Sequence, residues 1–157
     1  KMMRSIGRRL RLSKETIAYC YKLIKLHLRP IHLAEEGVTD SAIRRVLFLA
    51  GEEVDDLMTL CRADITSGNP KRVEKFLGNF DYVARRMKEV EEKDKLRNFQ
   101  PPVRGDEIIK TLNLQPGPII GKIKTAIEEA ILNGDIPNEH DAAFEYMMKI
   151  KDDVLNS

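Results

Sequence analysis

The stretch PKRVEKFLGNFDYVARRMKEVEEKDKLR, residues Pro70–Arg97, sets Val73, Phe76, Phe80, Val83, Met87 and Val90 at steps of three and four. That spacing stacks side chains on one face of a helix, whereas a strand would need apolar residues at every second position. Asn69 and Pro70 strengthen the reading: Asn offers a side-chain acceptor to the free amides of a first turn, and Pro fits the first helical position without losing a hydrogen bond. The seam is too short for a sustained coiled coil, so the stretch reads as one packed helix from Pro70 to about Arg97.

The same periodicity continues on the N-terminal side. MMRSIGRRL forms a short helix, and Ser13 caps a helix running to Arg29, with Ile17, Cys20, Ile24 and Leu28 on its buried face and Pro30 as its stop. Asp40 caps SAIRRVLFLA, which turns Ile43, Val46, Leu47 and Ala50 inward and leaves through a left-handed Gly51. EEVDDLMTLCRADITS repeats the pattern through Val54, Leu57, Met58, Cys61 and Ile65 and ends at Gly68.

On the C-terminal side the paired prolines of NFQPPVRG forbid helix and form a stiff linker. Beyond it DEIIKTL is a short helix. PIIGKIKTAIEEAIL is a longer one that buries Ile120, Ile123, Ile127, Ala130 and Ile131 and exits at Asn133-Gly134. A last helix starts with Asn138 as cap and runs through Phe144, Met147, Met148 and Val154. No segment alternates convincingly. The expected fold is all-α: a helical bundle body with a smaller C-terminal helical tail unit and no sheet.

A chain of 157 residues can bury about 70% of its unfolded surface without staples. Cys20 and Cys61 each fall within an apolar helical pattern and read as reduced core residues, which points to the cytoplasm. No apolar run approaches the length of a membrane span, and KMMRSIGRRLRL lacks the apolar stretch of a signal peptide, so no membrane partner is expected. The opening Lys suggests a piece of something longer. The net charge of +2 conceals an asymmetry, because residues 1–30 carry nine Lys and Arg against the single Glu15. A basic end of this kind suits a polyanion, although a solvated face is the commoner cause of any one charge run.

The candidate chemistry is sparse. His27, His32 and His140 never stand four apart, so a helical zinc pair is not formed. His140-Asp141 spells the HD dipeptide of metal-dependent hydrolases, but in a first helical turn an acidic residue is accounted for by the helix dipole. The same holds for Glu52, Glu53, Asp55 and Asp56. Asp64 lies at the edge of an apolar stripe, where a carboxylate needs a partner; Arg44 or Arg45 is expected to supply it, leaving Asp64 at least half buried. Arg104-Gly105-Asp106 matches the integrin tripeptide by chance. Phosphate loops, serine elbows and Cys–His pairs are lacking, so no residue is assigned a catalytic or metal-binding role.

LNLQPGPIIGKIK, Leu112–Lys124, raises a different question. Gly117 stands where a capping side chain would be, so the amides of Ile119, Ile120 and Gly121 are expected to lack an acceptor; Gly121 admits close approach, and Lys122 and Lys124 follow. This is a candidate phosphate seat. The other reading is that Gly121 lets two helices touch and Gly117 merely turns the chain.

Together KLHLRPI, VTDSAIRRVLFLAGEEVDDLMTLCRADITS and NFQPPVRGDEIIKTLNLQPGPIIGKIKTAIEEAILNGDIPN resemble the C-terminal part of the bacterial tRNA nucleotidyltransferases, the CCA-adding enzymes and related poly(A) polymerases. The resemblance implies residues 1–30 as the end of an HD-type domain, 31–97 as an RNA-binding body, 98–104 as a linker and 105–157 as a tail. The family's catalytic head is absent from this sequence, and so is the histidine-rich part of the HD domain. The implied role is non-catalytic: holding tRNA while a head domain, using Mg2+ with CTP and ATP, extends its 3′ end. No cofactor is expected in this chain itself. Arg44, Arg45, Lys71, Arg72, Lys75, Arg85, Arg86 and Lys88 are the body cations that would meet phosphates, with Gly117, Ile119, Ile120, Gly121, Lys122 and Lys124 in the tail. The alternative is a protein-interaction module, with a homodimer formed through the helical body.

Overall fold

The structure, a computed structural model, describes residues 2–36, 39–94, 96 and 99–155, the side chains of 34–36 excepted. Its elements are α1 (Met2–Arg9), α2 (Lys14–Leu26), α3 (Arg29–Glu36), α4 (Asp40–Ala50), α5 (Val54–Ala63), α6 (Pro70–Asp94), α7 (Gly105–Leu112), α8 (Pro118–Asn133) and α9 (His140–Leu155). A single 3₁₀ turn, Gly51–Glu53, joins α4 to α5. No strand occurs among the described residues, and the fold is all-α. The chain divides into two compact units, Lys1–Asn98 and Phe99–Ser157.

In the first unit α4 is the central element, packed against α2, α3, α5 and α6. Its inward face of Ile43, Val46, Leu47 and Ala50 is buried as the periodicity requires, and burying the Ile43, Val46 and Leu47 side chains contributes about 1.5–3 kcal/mol each. Phe80, Val83, Met87 and Val90 of α6 and Val54, Leu57, Met58 and Cys61 of α5 complete this core. Asn69 caps α6, its Oδ1 accepting the Lys71 amide at 3.1 Å. The helix ends at Asp94; residues 95 and 97, included in the sequence expectation, lie outside the described residues.

Three local expectations for this unit are corrected. Thr39, not Asp40, caps α4, its hydroxyl accepting the Ala42 amide at 3.3 Å. α2 stops at Leu26 and Pro30 lies in the first turn of α3, because a proline lacking an N–H can open a helix as readily as close one. Leu23 and Leu26 form the buried face of α2, whereas Ile24 and Leu28 are exposed. The helix carries two apolar stripes, and α4 and α5 cover one of them.

Asp64 departs from expectation as well. It is the exposed C-cap of α5, with its carboxylate 4.0 Å from His27 Nε2. Arg44, one of the two arginines expected to neutralise it, lies on Asp94 instead. Because α5 ends at Ala63, Asp64 is outside the helix and its carboxylate reaches water without a buried partner.

In the second unit α8 packs between α7 and α9, burying Ile120, Ile123, Ile127, Ala130, Ile131 and Leu132 with Ile108, Ala143 and Met147. α8 ends as expected: Gly134 adopts φ 86°, a conformation costly for any residue with a Cβ, and its N–H reaches the carbonyls of Ala130 and Ile131. α9 begins at His140, two residues past the expected Asn138 cap. His140 joins it to α7, with Nε2 2.9 Å from Glu107 Oε1 and Nδ1 3.2 Å from Asp141 Oδ1.

Candidate nucleic-acid interface

α6 has two faces that its sequence keeps apart. Opposite its buried seam, Lys71, Lys75, Gly78, Tyr82 and Arg85 recur at steps of four, three, four and three, and all five are exposed. Lys71, Arg72, Lys75 and Arg85 form no ion pair among the described residues. From Lys71 to Arg85 the stripe extends roughly 20 Å at the helical rise of about 1.5 Å per residue. Tyr82, 48% exposed, stands between the cations with its ring in reach of a ligand. Sequence reading missed Tyr82 because it sought charge, and the signal available was the aromatic at the same spacing as the lysines.

The other body cations are engaged within the fold. Arg44 Nε donates to Asp94 Oδ2 at 2.7 Å, and the pair is largely shielded. Arg86 bridges Asp40, at 2.6 Å, and Glu89. Its guanidinium pKa is pushed further up, first by the hydrogen bond to Glu89. Lys88 lies 4.0 Å from Glu92 one turn on, and Arg45 also has a partner within the molecule. Two arginines of the expected set therefore secure α4 to α6, while the outward stripe of α6 stays open to solvent.

In the second unit, Pro118 occupies the first turn of α8 and Gly117 provides no side-chain cap. The Ile120 amide is not orphaned as expected: it donates to Gly117 O at 3.2 Å, a three-residue closure that tightens the first turn, and the Ile120 side chain is buried. Ile119 is half-buried. Gly121 and Lys122 are exposed, and a Cβ placed on Gly121 would meet nothing within 4 Å, so this glycine does not serve helix contact. Lys122 has a partner within the molecule, and Lys124 is half-buried beside Glu128. Burial, then Glu129, raises the Glu128 carboxyl, and Lys124 opposes both.

Among the described residues, no group of three or more His, Cys, Asp or Glu side chains is placed to hold a metal ion. No helix among them is long and apolar enough to cross a membrane. A family model described as tRNA nucleotidyltransferase domain 2, putative, matches residues 1–147. The chain belongs to that family. A CCA-adding enzyme of Leuconostoc mesenteroides subsp. mesenteroides is 37% identical over 51 residues, covering 32% of this chain and 13% of that protein. The chain thus aligns with a small part of that relative's length. No solved structure matches it.

Proposed function

We propose that this chain is a non-catalytic holder of tRNA, gripping the RNA backbone while another part of a CCA-adding enzyme or related polymerase extends the 3′ end. The supporting observation is the outward stripe of α6, where cations without internal partners flank an exposed tyrosine. Phosphate contacts of this kind fix the position and register of an RNA without reading its bases, which suits an enzyme that must accept many tRNAs. Lys71, Arg72, Lys75 and Arg85 make those contacts, and Arg44 and Arg86 hold the surface in place. Gly121 and the start of α8 supply a second phosphate contact. The Mg2+, CTP and ATP of the family's transfer reaction are assigned to another part of the enzyme, and no step of that reaction is given to these side chains.

Titration of labelled tRNA at several salt concentrations tests this. Binding should weaken steeply with salt, and Lys75→Ala and Arg85→Ala should each lower affinity and make the salt slope shallower by about one unit or less. A Lys71→Ala/Lys75→Ala/Arg85→Ala chain that binds with unchanged affinity and slope would falsify the α6 assignment. Gly121→Val tests the second contact: unchanged tRNA affinity in a folded variant removes it. The isolated chain should add no nucleotide when supplied with Mg2+, CTP and ATP, and measurable addition contradicts the holding role.

A further inference from the structure

The basic N-terminal helices carry an apolar groove that the tRNA-holding surface does not use. α1 lies so close on α2 that a Cβ on the buried Gly7 would come within 2.5 Å of Ile17 Cγ1. Beside that crossing is an open depression of about 440 Å³, floored by Leu12, Ile17 and Tyr21 and rimmed by Arg4, Arg8 and Lys14. The second apolar stripe of α2 continues from it through Ile24, 51% exposed. Leu12 and Ile17 give RNA nothing to stack on, and the one aromatic of the floor, Tyr21, is already covered by Arg4, whose Cζ lies 5.2 Å from its ring centroid. A concave apolar floor with a cationic rim calls for an apolar knob flanked by carboxylates.

α9 presents that surface. Met148, 36% exposed, and Leu155, 42% exposed, are seven residues apart on one face, with the exposed carboxylates of Glu145 and Asp152 beside them. Neither carboxylate forms an ion pair among the described residues. We infer that the α1–α2 groove of one copy receives the Met148–Leu155 face of α9 from a second copy, with Arg8 and Lys14 meeting Glu145 and Asp152. Reciprocal exchange closes a two-fold dimer and one-way exchange gives chains; either is self-association by the same contact. Groove-to-groove pairing is disfavoured because it would set arginine against arginine.

The test is the solution mass of the whole chain across concentration and salt. The mass should rise above 18.0 kDa as concentration increases and fall back toward it at high salt. Arg8→Glu/Lys14→Glu and Glu145→Lys/Asp152→Lys should each weaken association by about tenfold or more, since like charges would then face each other. Mixing the two variants should restore it, because both contacts of the mixed pair are again opposite in sign. Circular dichroism identifies an unfolded variant, for which Ile24→Ser replaces the groove reversal and should weaken association likewise. A mass of 18.0 kDa at every concentration overturns the inference, as does association that neither charge reversal alters. If groove reversal abolishes tRNA binding while the mass never changes, the groove is an RNA surface and the inference is wrong.

Discussion

Arg44 Nε and Asp94 Oδ2 lie 2.7 Å apart, closing a link across fifty residues of sequence between α4 and the last turn of α6. The side chains are 11% and 17% exposed, so the pair is shielded enough for its loss to matter. Arg44→Ala should lower stability by about 1–3 kcal/mol, because it leaves a carboxylate short of a charged donor in a partly dry site. Arg85→Ala, fully on the surface, should stay within about 0.5 kcal/mol of the parent. Urea unfolding of both chains makes the comparison.

Gly121 occupies an exposed position inside α8 with open space where a side chain would go. Gly121→Ala should therefore raise stability, by about 0.5–1 kcal/mol, as the unfolded chain loses freedom and the helix gains a better former. A fall in the thermal midpoint would show that the glycine has a packing role after all.

His140 holds two carboxylates, one at each ring nitrogen, an arrangement that both nitrogens can satisfy only as donors. The hydrogen bond to Asp141, then that to Glu107, raises its pKa above the usual histidine value. A folded pKa above the unfolded one gives stability that is complete below the unfolded value of about 6.5 and disappears as pH rises through the folded one. The thermal midpoint should fall over that window. His140→Gln should flatten this step in the pH profile, and a profile identical to the parent's would refute it.

Cys61 is buried and its Sγ donates to His27 O at 2.9 Å. Burial, with Asp64 adding to it, pushes the thiol up to about 11. Little thiolate exists near neutral pH, so native Cys61 should resist alkylation until the chain unfolds, with the half-buried Cys20 modified ahead of it. Peptide mapping after a timed iodoacetamide pulse shows the order.

Gly7→Ala should loosen α1, since the added methyl would collide with Ile17 Cγ1 at 2.5 Å. Overpacking of this kind costs about 1–3 kcal/mol. Ile17→Ala in the same chain should recover part of the loss, and the double-mutant cycle measures the coupling.

The helices were legible because their signals are local. Ser13 and Asn69 cap the elements expected of them, and Gly134 ends α8 as its lack of a side chain allows. The spacing of Ile43, Val46 and Leu47 needed no knowledge of what covers them. The candidate interface was legible in part: Lys71, Lys75 and Arg85 of α6 were named, while Tyr82 on the same stripe was not.

What the sequence determined by itself is the periodicity of each helix and which residues could form a buried face, because both follow from the 3.6-residue repeat and the chemistry of a few terminal residues. Which face is actually covered, and which cation is left over, was decided in three dimensions. α2 offers two apolar stripes, and the packing of α4 and α5 chose Leu23 and Leu26 over Ile24. Arg44 and Arg85 look alike in sequence, yet Asp94 from the far end of α6 holds one and nothing holds the other among the described residues. A charge's freedom to bind a partner depends on neighbours fifty residues away, and only folding brings those neighbours within hydrogen-bonding distance.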